Sequence, residues 1–510
     1  DYYNGWFPLN LAWDAASDDI YPGGSDTSDQ GYLHEISWYG CSPTNDIKGA
    51  WTVAYSGINR SIRLMDNAEE ANISEADKKS YNAEGRVLRD WYYLVLWKTW
   101  GNVPFYTENL TFPYIAEQLK ADEVYNNMVT DLEEVLDSKI LPMKRELTWA
   151  GRMTQAAAAM IYADYVMYQK DESRYSKALG YVKEVIASGQ YKLVTDYDDL
   201  FTYATEWSDE IILDINYISA GGKRGWGDAG ACGGTVIPAM IGVDGLTYVG
   251  GQETGHGPYT EFEGGWGFCV ITQDAYEAFE PGDIRRDVAV LNLDTYQEEM
   301  MNRGIAVNYT GRYQNTGYFL RKYLGRPGGK ADQAGDADLN WENNFHLYRY
   351  AETLLVAAEL AWRTNSGEAQ GYFDQIRERA GLSPKAISEE AIMQERRVEL
   401  LGEGKRYFDL IRFGKAAEVL KPGGGAIYVT KDAHRFVCTD GTVTQDKPKG
   451  EVKTNADGKP LNLVINGELK WTGKGAAIPQ RPQWTENKKY LPIPQIEIES
   501  SHGATVQNPY

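Results

Sequence analysis

The sequence predicts a mostly α-helical protein of tetratricopeptide-like helix pairs carrying large irregular loop and hairpin insertions. Three observations predict it. Apolar residues recur at three- and four-residue steps through two separated stretches. The helices so marked come in pairs with short connections, as in arrays whose units bury apolar faces on their neighbours. Between and after the helical stretches the chain turns rich in glycine and aromatics, with only short β-like pieces. We read 1–510 as one domain, with a discontinuous scaffold at 49–189 and 341–414 and insertions at 190–340 and 415–490. Insertions in such arrays form binding surfaces.

Residues 1–48 hold Gly, Asp, Ser and Trp without a sustained period and read as ordered loop. Trp51, Tyr55, Ile58, Ile62 and Met65 then mark an amphipathic helix over 51–68. The next runs over 74–101, from a Ser74 cap to Gly101, with Pro104 beyond. Helices follow over 121–137 and 154–169, joined by a loop with Pro142, and over 174–188. The pattern breaks at 190, where "EIILDINYI" (210–218) is strand-like and glycines cluster at 221–234 and 245–267. Helix returns at 345–364, 367–382 and through 394–414. Residues 421–490 again read as loop and hairpin.

Composition removes several function classes. A net charge of −22 opposes nucleic acid, whose phosphates require clustered Lys and Arg. No apolar run reaches membrane-spanning length. Cys41, Cys232, Cys269 and Cys438 are scattered and form no C-x-x-C pair, which argues against thiol redox chemistry and structural zinc. The chain begins at Asp1 rather than Met, as a processed chain would, with any signal peptide already removed. Tyr (36) outnumbers Phe (13), beside 15 Trp; rings with polar tips suit wet binding surfaces better than a dry core does.

Catalytic and metal motifs are weak. Five scattered histidines include no H-E-x-x-H, and there is no nucleophile elbow or Walker loop. "GWGDAG" (225–230) fits G-x-G-x-x-G but lacks the flanking strand and helix of a dinucleotide site. "DADLN" (336–340) spaces oxygen ligands like the start of an EF-hand, yet Trp341 and Leu347 replace the required Gly and Glu. No cofactor is expected; a looser calcium site there is the alternative to a loop that caps the next helix. Acid pairs at 13–19 and 197–201 could be read as glycosidase carboxylates, but with 73 acids such pairs are unavoidable. Loop acids bonding backbone amides are the plainer reading.

"QERRVELLGEGKRYFDLIRFG" (394–414) packs charge into an apolar rhythm. Arg396, Glu399 and Glu403 fall on helical steps, Gly402 and Gly404 suit left-handed helix ends, and Asp409 and Arg412 are spaced for a local ion pair. The stretch reads as a brace in a helix–turn–helix corner, where Arg forks satisfy carboxylates and carbonyls.

Its core, "ERRVELLGEGKRYFDLIRFG", resembles the C-terminal signature of the SusD/RagB family of outer-membrane nutrient-binding lipoproteins. Five further blocks resemble the family in order: "NLAWDAASDD" (10–19), "GRVLRDWYYLVLWKTWGNVPFY" (85–106), "YRYAETLLVAAELAW" (348–362), "FDQIRERAGL" (373–382) and "YLPIPQIEI…QNPY" (490–510), the last without the usual Gly before the final Tyr. The resemblance implies a SusD-like fold with four tetratricopeptide-like pairs and no catalysis. It implies binding of oligosaccharide or polysaccharide, and a TonB-dependent SusC-like transporter as partner. It also implies a lipid anchor on the outer face of a Bacteroidota-type outer membrane, though the anchor Cys is not in this chain. A surface glycoside hydrolase and a peptide-binding transporter subunit are the alternatives.

Sugars stack their C–H faces on aromatic rings and leave hydroxyls for polar side chains. The family's binding regions are the loop before the first helix pair and the large insertion. Here these regions hold Trp38 and Tyr39, then Trp226, Tyr248, Tyr259 and Trp266, which are the candidate ligand-binding residues. Trp226, flanked by Lys223 and Arg224 in a Gly-rich loop, and Trp38 are the leading platforms.

Overall fold

A computed structural model describes residues 8–218, 225, 233–250, 260–303, 305–330, 336–421, 436–438, 452–454, 460–465 and 481–510. The chain opens with α1 (Leu9–Ala16), β1 (Ile20–Gly23) and α2 (Gly31–Ser37), where the sequence suggested loop. Both helices are too short to establish a period. In α1 every residue from Leu11 to Ala16 is buried, so no polar face alternates with an apolar one.

The scaffold follows as long helices: α3 (Lys48–Glu70), α4 (Glu75–Trp100), α5 (Ala121–Ser138), α6 (Gln155–Gln169) and α7 (Tyr175–Ala187). In α3, Trp51, Ile58 and Ile62 are buried as the spacing predicts and Ala54 joins them, while Tyr55 and Met65 are half-buried. α3 and α4 cross closely because Gly57 has no Cβ; one there would lie 2.2 Å from the Tyr92 ring. Ser74 caps α4 by accepting the Asp77 amide at 3.1 Å. Gly101, with φ of 74°, ends that helix. The strands β2 (Val103–Pro104) and β3 (Gln118–Leu119) pair antiparallel across the loop to α5. Helix α6 is buried almost all round and packs against α5 and α7, so it forms the centre of the bundle.

The next stretch is more regular than its glycine content suggests. It carries β4 (Ile211–Ile215), α8 (Ile237–Ile241), β5 (Thr247–Gly250), β6 (Phe268–Ile271), α9 (Gln273–Glu277) and α10 (Arg286–Ala289). β7 (Val290–Asn292), α11 (Leu293–Asn302), β8 (Ile305–Asn308), β9 (Tyr318–Leu320) and β10 (Phe345–Arg349) complete it. A four-stranded sheet runs β1-β6-β9-β7, all antiparallel, and ties the N-terminal segment to the insertion. β10 pairs with β4, which is why Phe345–Arg349 are extended although the helical rhythm predicts helix from 345.

Helices α12 (Tyr350–Arg363), α13 (Ala369–Arg379), α14 (Glu389–Glu399), α15 (Arg406–Arg412) and α16 (Ala416–Val419) complete the bundle, with α12 packed on α7, α13 and α14. Three short strands, β11 (Phe436–Cys438), β12 (Val452–Thr454) and β13 (Pro460–Ile465), form an antiparallel sheet. The chain ends after α17 (Gln495–Ser500). The C-terminal segment lies on the end of α4, where the Trp100 indole donates to the Pro492 carbonyl and the Leu491 amide to that of Thr99.

The corner at 394–414 is a buried charge network. The Arg349 guanidinium bonds Glu210, Glu399 and Glu403 at 2.8–2.9 Å, and Arg379 and Arg285 close on Glu399 from two other elements. Asp409 lies between Arg396 and Arg412, and the pair Asp409–Arg412 forms at 2.7 Å as its spacing predicts. Gly402 and Gly404 have φ of 77° and 71°. A Cβ on Gly402 would lie 2.3 Å from the Leu320 side chain.

Candidate functional site

A surface concentrates polar and aromatic groups where the N-terminal segment meets the insertion. β1 delivers the chain to a tight turn at Gly23 and Gly24, fixed by three hydrogen bonds. The Gly23 amide donates to Gln314 Oε1 at 2.9 Å, the Gly24 amide to the Gly267 carbonyl at 3.0 Å, and the Tyr313 amide to the Gly24 carbonyl at 3.1 Å. α2 then returns over this turn. His34 is one helical turn before Trp38, and the two rings lie 5.5 Å apart; His34 also lies 5.8 Å from Tyr313. Trp38, His34 and Tyr313 thus form a row, with His34 buried and the outer two rings half-buried. Burial holds the His34 imidazole below its ordinary pKa, so it is neutral at physiological pH.

Charge flanks the row. Arg312 pairs with Asp244 at 3.1 Å and reaches toward Asp29 at 3.9 Å. The Arg312 stem passes 3.4 Å from where a Cβ on Gly267 would be, and that glycine has φ of 70°. The loop carrying Trp266 is held by backbone bonds, from the Trp266 amide to Ala239 and from the Gly267 amide to Gly242. The surface therefore offers ring faces beside a guanidinium already neutralised by carboxylates. Such a set stacks and hydrogen-bonds an uncharged polar ligand.

The six candidate residues have different environments. Trp38 caps α2 with its ring half-buried at the row. Tyr39 is a correction: it is a core residue. With φ of 56° it turns the chain inward, its hydroxyl donates to the Ala16 carbonyl at 3.0 Å, and its ring stacks on Tyr407. Burial pushes its phenol up to about 12. No ring face remains for a ligand. Tyr248 is half-buried on β5, and its hydroxyl accepts the Phe262 amide and meets Tyr296 Oη, both at 3.1 Å. Trp266 is half-buried against the core. Trp226 and Tyr259 lie outside the described residues. Sequence reasoning missed His34, Tyr313 and the Arg312–Asp244–Asp29 group. Tyr313 sits in a Gly- and aromatic-rich run like several others, so nothing local marks it.

The acid pairs considered for hydrolysis are bound elsewhere. Asp14 accepts the Gly404 amide at 2.9 Å, Asp18 is gripped by Arg406 at 2.8 and 2.9 Å, and Asp19 accepts from Arg397 at 2.7 Å. Asp198 pairs with Arg321 and Arg326. These acids join segments. At 336–340, the Asp336 carboxylate accepts the Asp338 amide at 3.0 Å and caps a short 3-10 turn, while the Asn340 side chain donates to the Asp336 carbonyl. Among the described residues no cluster of three His, Cys, Asp or Glu could hold a metal ion.

The sequence profile of the SusD family matches residues 209–510. The chain belongs to the SusD family. This SusD-family chain is similar to the solved surface glycan-binding protein A of Bacteroides thetaiotaomicron in complex with laminarihexaose. The two are 37% identical with a TM-score of 0.80, covering 99% of this chain and 94% of that one. It is also similar to a laminarin-binding SusD-like protein, 27% identical with a TM-score of 0.77, over 99% of this chain and 95% of the other. The starch-binding protein SusD of Bacteroides thetaiotaomicron is 25% identical, covering 75% of this chain and 72% of its own length. These three relatives are named as binding proteins, for glycan, laminarin and starch. Among the described residues no helix is long and apolar enough to cross a membrane.

Proposed function

We propose that this chain is a cell-surface glycan receptor, held by a lipid anchor on the outer face of the outer membrane, that binds a laminarin-type oligosaccharide and delivers it to a TonB-dependent SusC-like transporter. One observation carries the binding reading: Trp38, His34 and Tyr313 form a row of rings beside the neutralised Arg312 group. Similarity along nearly the whole chain to a protein solved with laminarihexaose supports the choice of glucan. Sugar rings stack on Trp38 and hydroxyls bond the polar flank. Delivery and anchoring rest on family membership.

Affinity electrophoresis through laminarin, starch and an acidic polysaccharide tests the ligand. The laminarin gel should retard the protein most, and Trp38→Ala should weaken binding about tenfold or more, from lost stacking and lost buried area together. Equal migration of wild type and variant in all three gels rejects the site. Co-purification of a β-barrel transporter with the tagged chain from solubilised outer membranes tests delivery.

A further inference from the structure

A patch of surplus positive charge lies on this acidic chain, and it shares no residue with the row at Trp38. The net charge of the whole chain is −22. Yet a cavity of about 70 Å³ between the α5–α6 loop and β4 is lined by Lys144, Arg145 and Arg152. Among the described residues, Asp214 is the one carboxylate in that lining, and it is buried and bonded to His346 at 2.8 Å.

The cations outnumber the carboxylates that hold them. Arg145 and Arg152 share Glu84, the first at 2.7 Å and the second through its Nε at 3.0 Å. Lys144 and Lys192 share Asp209, at 2.7 and 3.1 Å. Burial and the neighbouring Arg152 hold the Arg145 guanidinium below its ordinary pKa, against the pull of Glu84. Two further acids lie near in sequence. Glu146 is exposed and joins neither group. Glu206 accepts the Asn344 amide at 2.8 Å, and burial pushes its carboxyl up to about 7. Solvent reaches the cluster: the Lys144 and Arg152 side chains are 26% and 25% exposed. The same lining includes the exposed Leu147 and Trp207. It also includes the exposed Asn216, whose side-chain amide nitrogen lies 2.7 Å from where a Cβ on Gly151 would be. Thr154 lines the wall and caps α6, so the positive end of that helix adds to the field.

Surplus cations at an open cavity select an anion, and Arg and Lys grip a carboxylate through charge-assisted hydrogen bonds. Leu147 and the Trp207 ring select an apolar face beside that charge, and the Asn216 amide selects a hydroxyl. A hexuronate unit combines these features. The charge of the whole chain repels a long polyanion, so the unit belongs to a short or largely neutral glycan. We propose that Lys144, Arg145, Arg152 and Trp207 form a binding site for an acidic sugar, with the cations on its carboxylate and the indole on its ring. This site takes a different ligand from the row at Trp38 and stands without the glucan reading.

Calorimetric titration of the intact chain with trigalacturonate, its uncharged methyl ester and laminarihexaose tests it. Trigalacturonate should bind about tenfold or more tightly than the ester. Lys144→Met/Arg152→Met should weaken trigalacturonate binding about tenfold or more. That variant leaves Glu84 with Arg145 and Asp209 with Lys192, so both carboxylates keep a partner and the melting temperature should match wild type. Trp207→Ala should weaken trigalacturonate binding about threefold. Laminarihexaose affinity should stay within about twofold of wild type in both variants, because the row at Trp38 is untouched. Wild-type protein that does not bind trigalacturonate, or binds acid and ester equally, overturns the site. So does a double variant whose trigalacturonate affinity equals wild type, or one that loses laminarihexaose in parallel. Acetate bound as tightly as trigalacturonate, with no effect of Trp207→Ala, would make this a general anion contact and overturn the sugar assignment.

Discussion

Trp38 and Tyr39 are adjacent, aromatic and embedded in the same polar segment, yet only one faces outward. The end of α2 decides this: Tyr39 takes a left-handed backbone conformation and swings its ring beneath the helix onto Tyr407. Its hydroxyl makes one buried bond, to Ala16. Tyr39→Phe should therefore cost about 1 kcal/mol of stability, read by urea denaturation, and leave glycan affinity unchanged. A loss of affinity without a loss of stability would return Tyr39 to the binding surface. Thr154 makes a similar local contribution by capping α6 with its hydroxyl on the Ala157 amide at 3.1 Å. Thr154→Ala should destabilise the protein by about 1 kcal/mol. Neither outcome could be assigned to one residue from composition, because ring direction and cap geometry depend on a few backbone angles.

Among elements, the corner of α14 and α15 joins the two halves of the scaffold to the insertion. Its spacing suggested a brace, and the Asp409–Arg412 pair was legible from three-residue separation alone. Arg349 was not. It comes from the end of β10, some fifty residues upstream in sequence, and meets Glu399, Glu403 and Glu210 only because β10 pairs with β4. Arg349→Met keeps apolar volume but leaves three buried carboxylates short of a partner. It should destabilise the fold by about 3–5 kcal/mol in urea denaturation. A change below about 1 kcal/mol would mean that Arg379, Arg285 and Lys322 already satisfy those acids.

Across the whole molecule, this network makes stability depend on pH. Burial opposes ionisation of Glu403, but Arg349 and Lys322 outweigh it and hold its carboxyl at about 2, below the ordinary 4.5. A depressed carboxylate contributes stability that is complete above its unfolded pKa and is lost as pH falls through the folded one. Lys322, drawn down to about 8 by burial despite Glu403, remains protonated through that window and does not offset the loss. The urea midpoint should therefore fall as pH drops from about 4.5 to about 2, and Arg349→Met should flatten that fall. A midpoint independent of pH across that range would refute the network's role.

The sequence by itself determined the helical class, the approximate bounds of the long helices and the family, because periodicity, caps and ordered motif blocks are local properties of the chain. It also placed the candidate binding residues, Trp38 among them, in the N-terminal segment and the insertion. Only the tertiary structure decided that Tyr39 is core, that His34, Tyr313 and Arg312 belong beside Trp38, and that the acid pairs are braces. Those facts depend on contacts between residues nearly three hundred positions apart, such as Gly23 with Gln314. Contacts at that separation are set by strand pairing and packing, which leave no repeating trace in the order of residues.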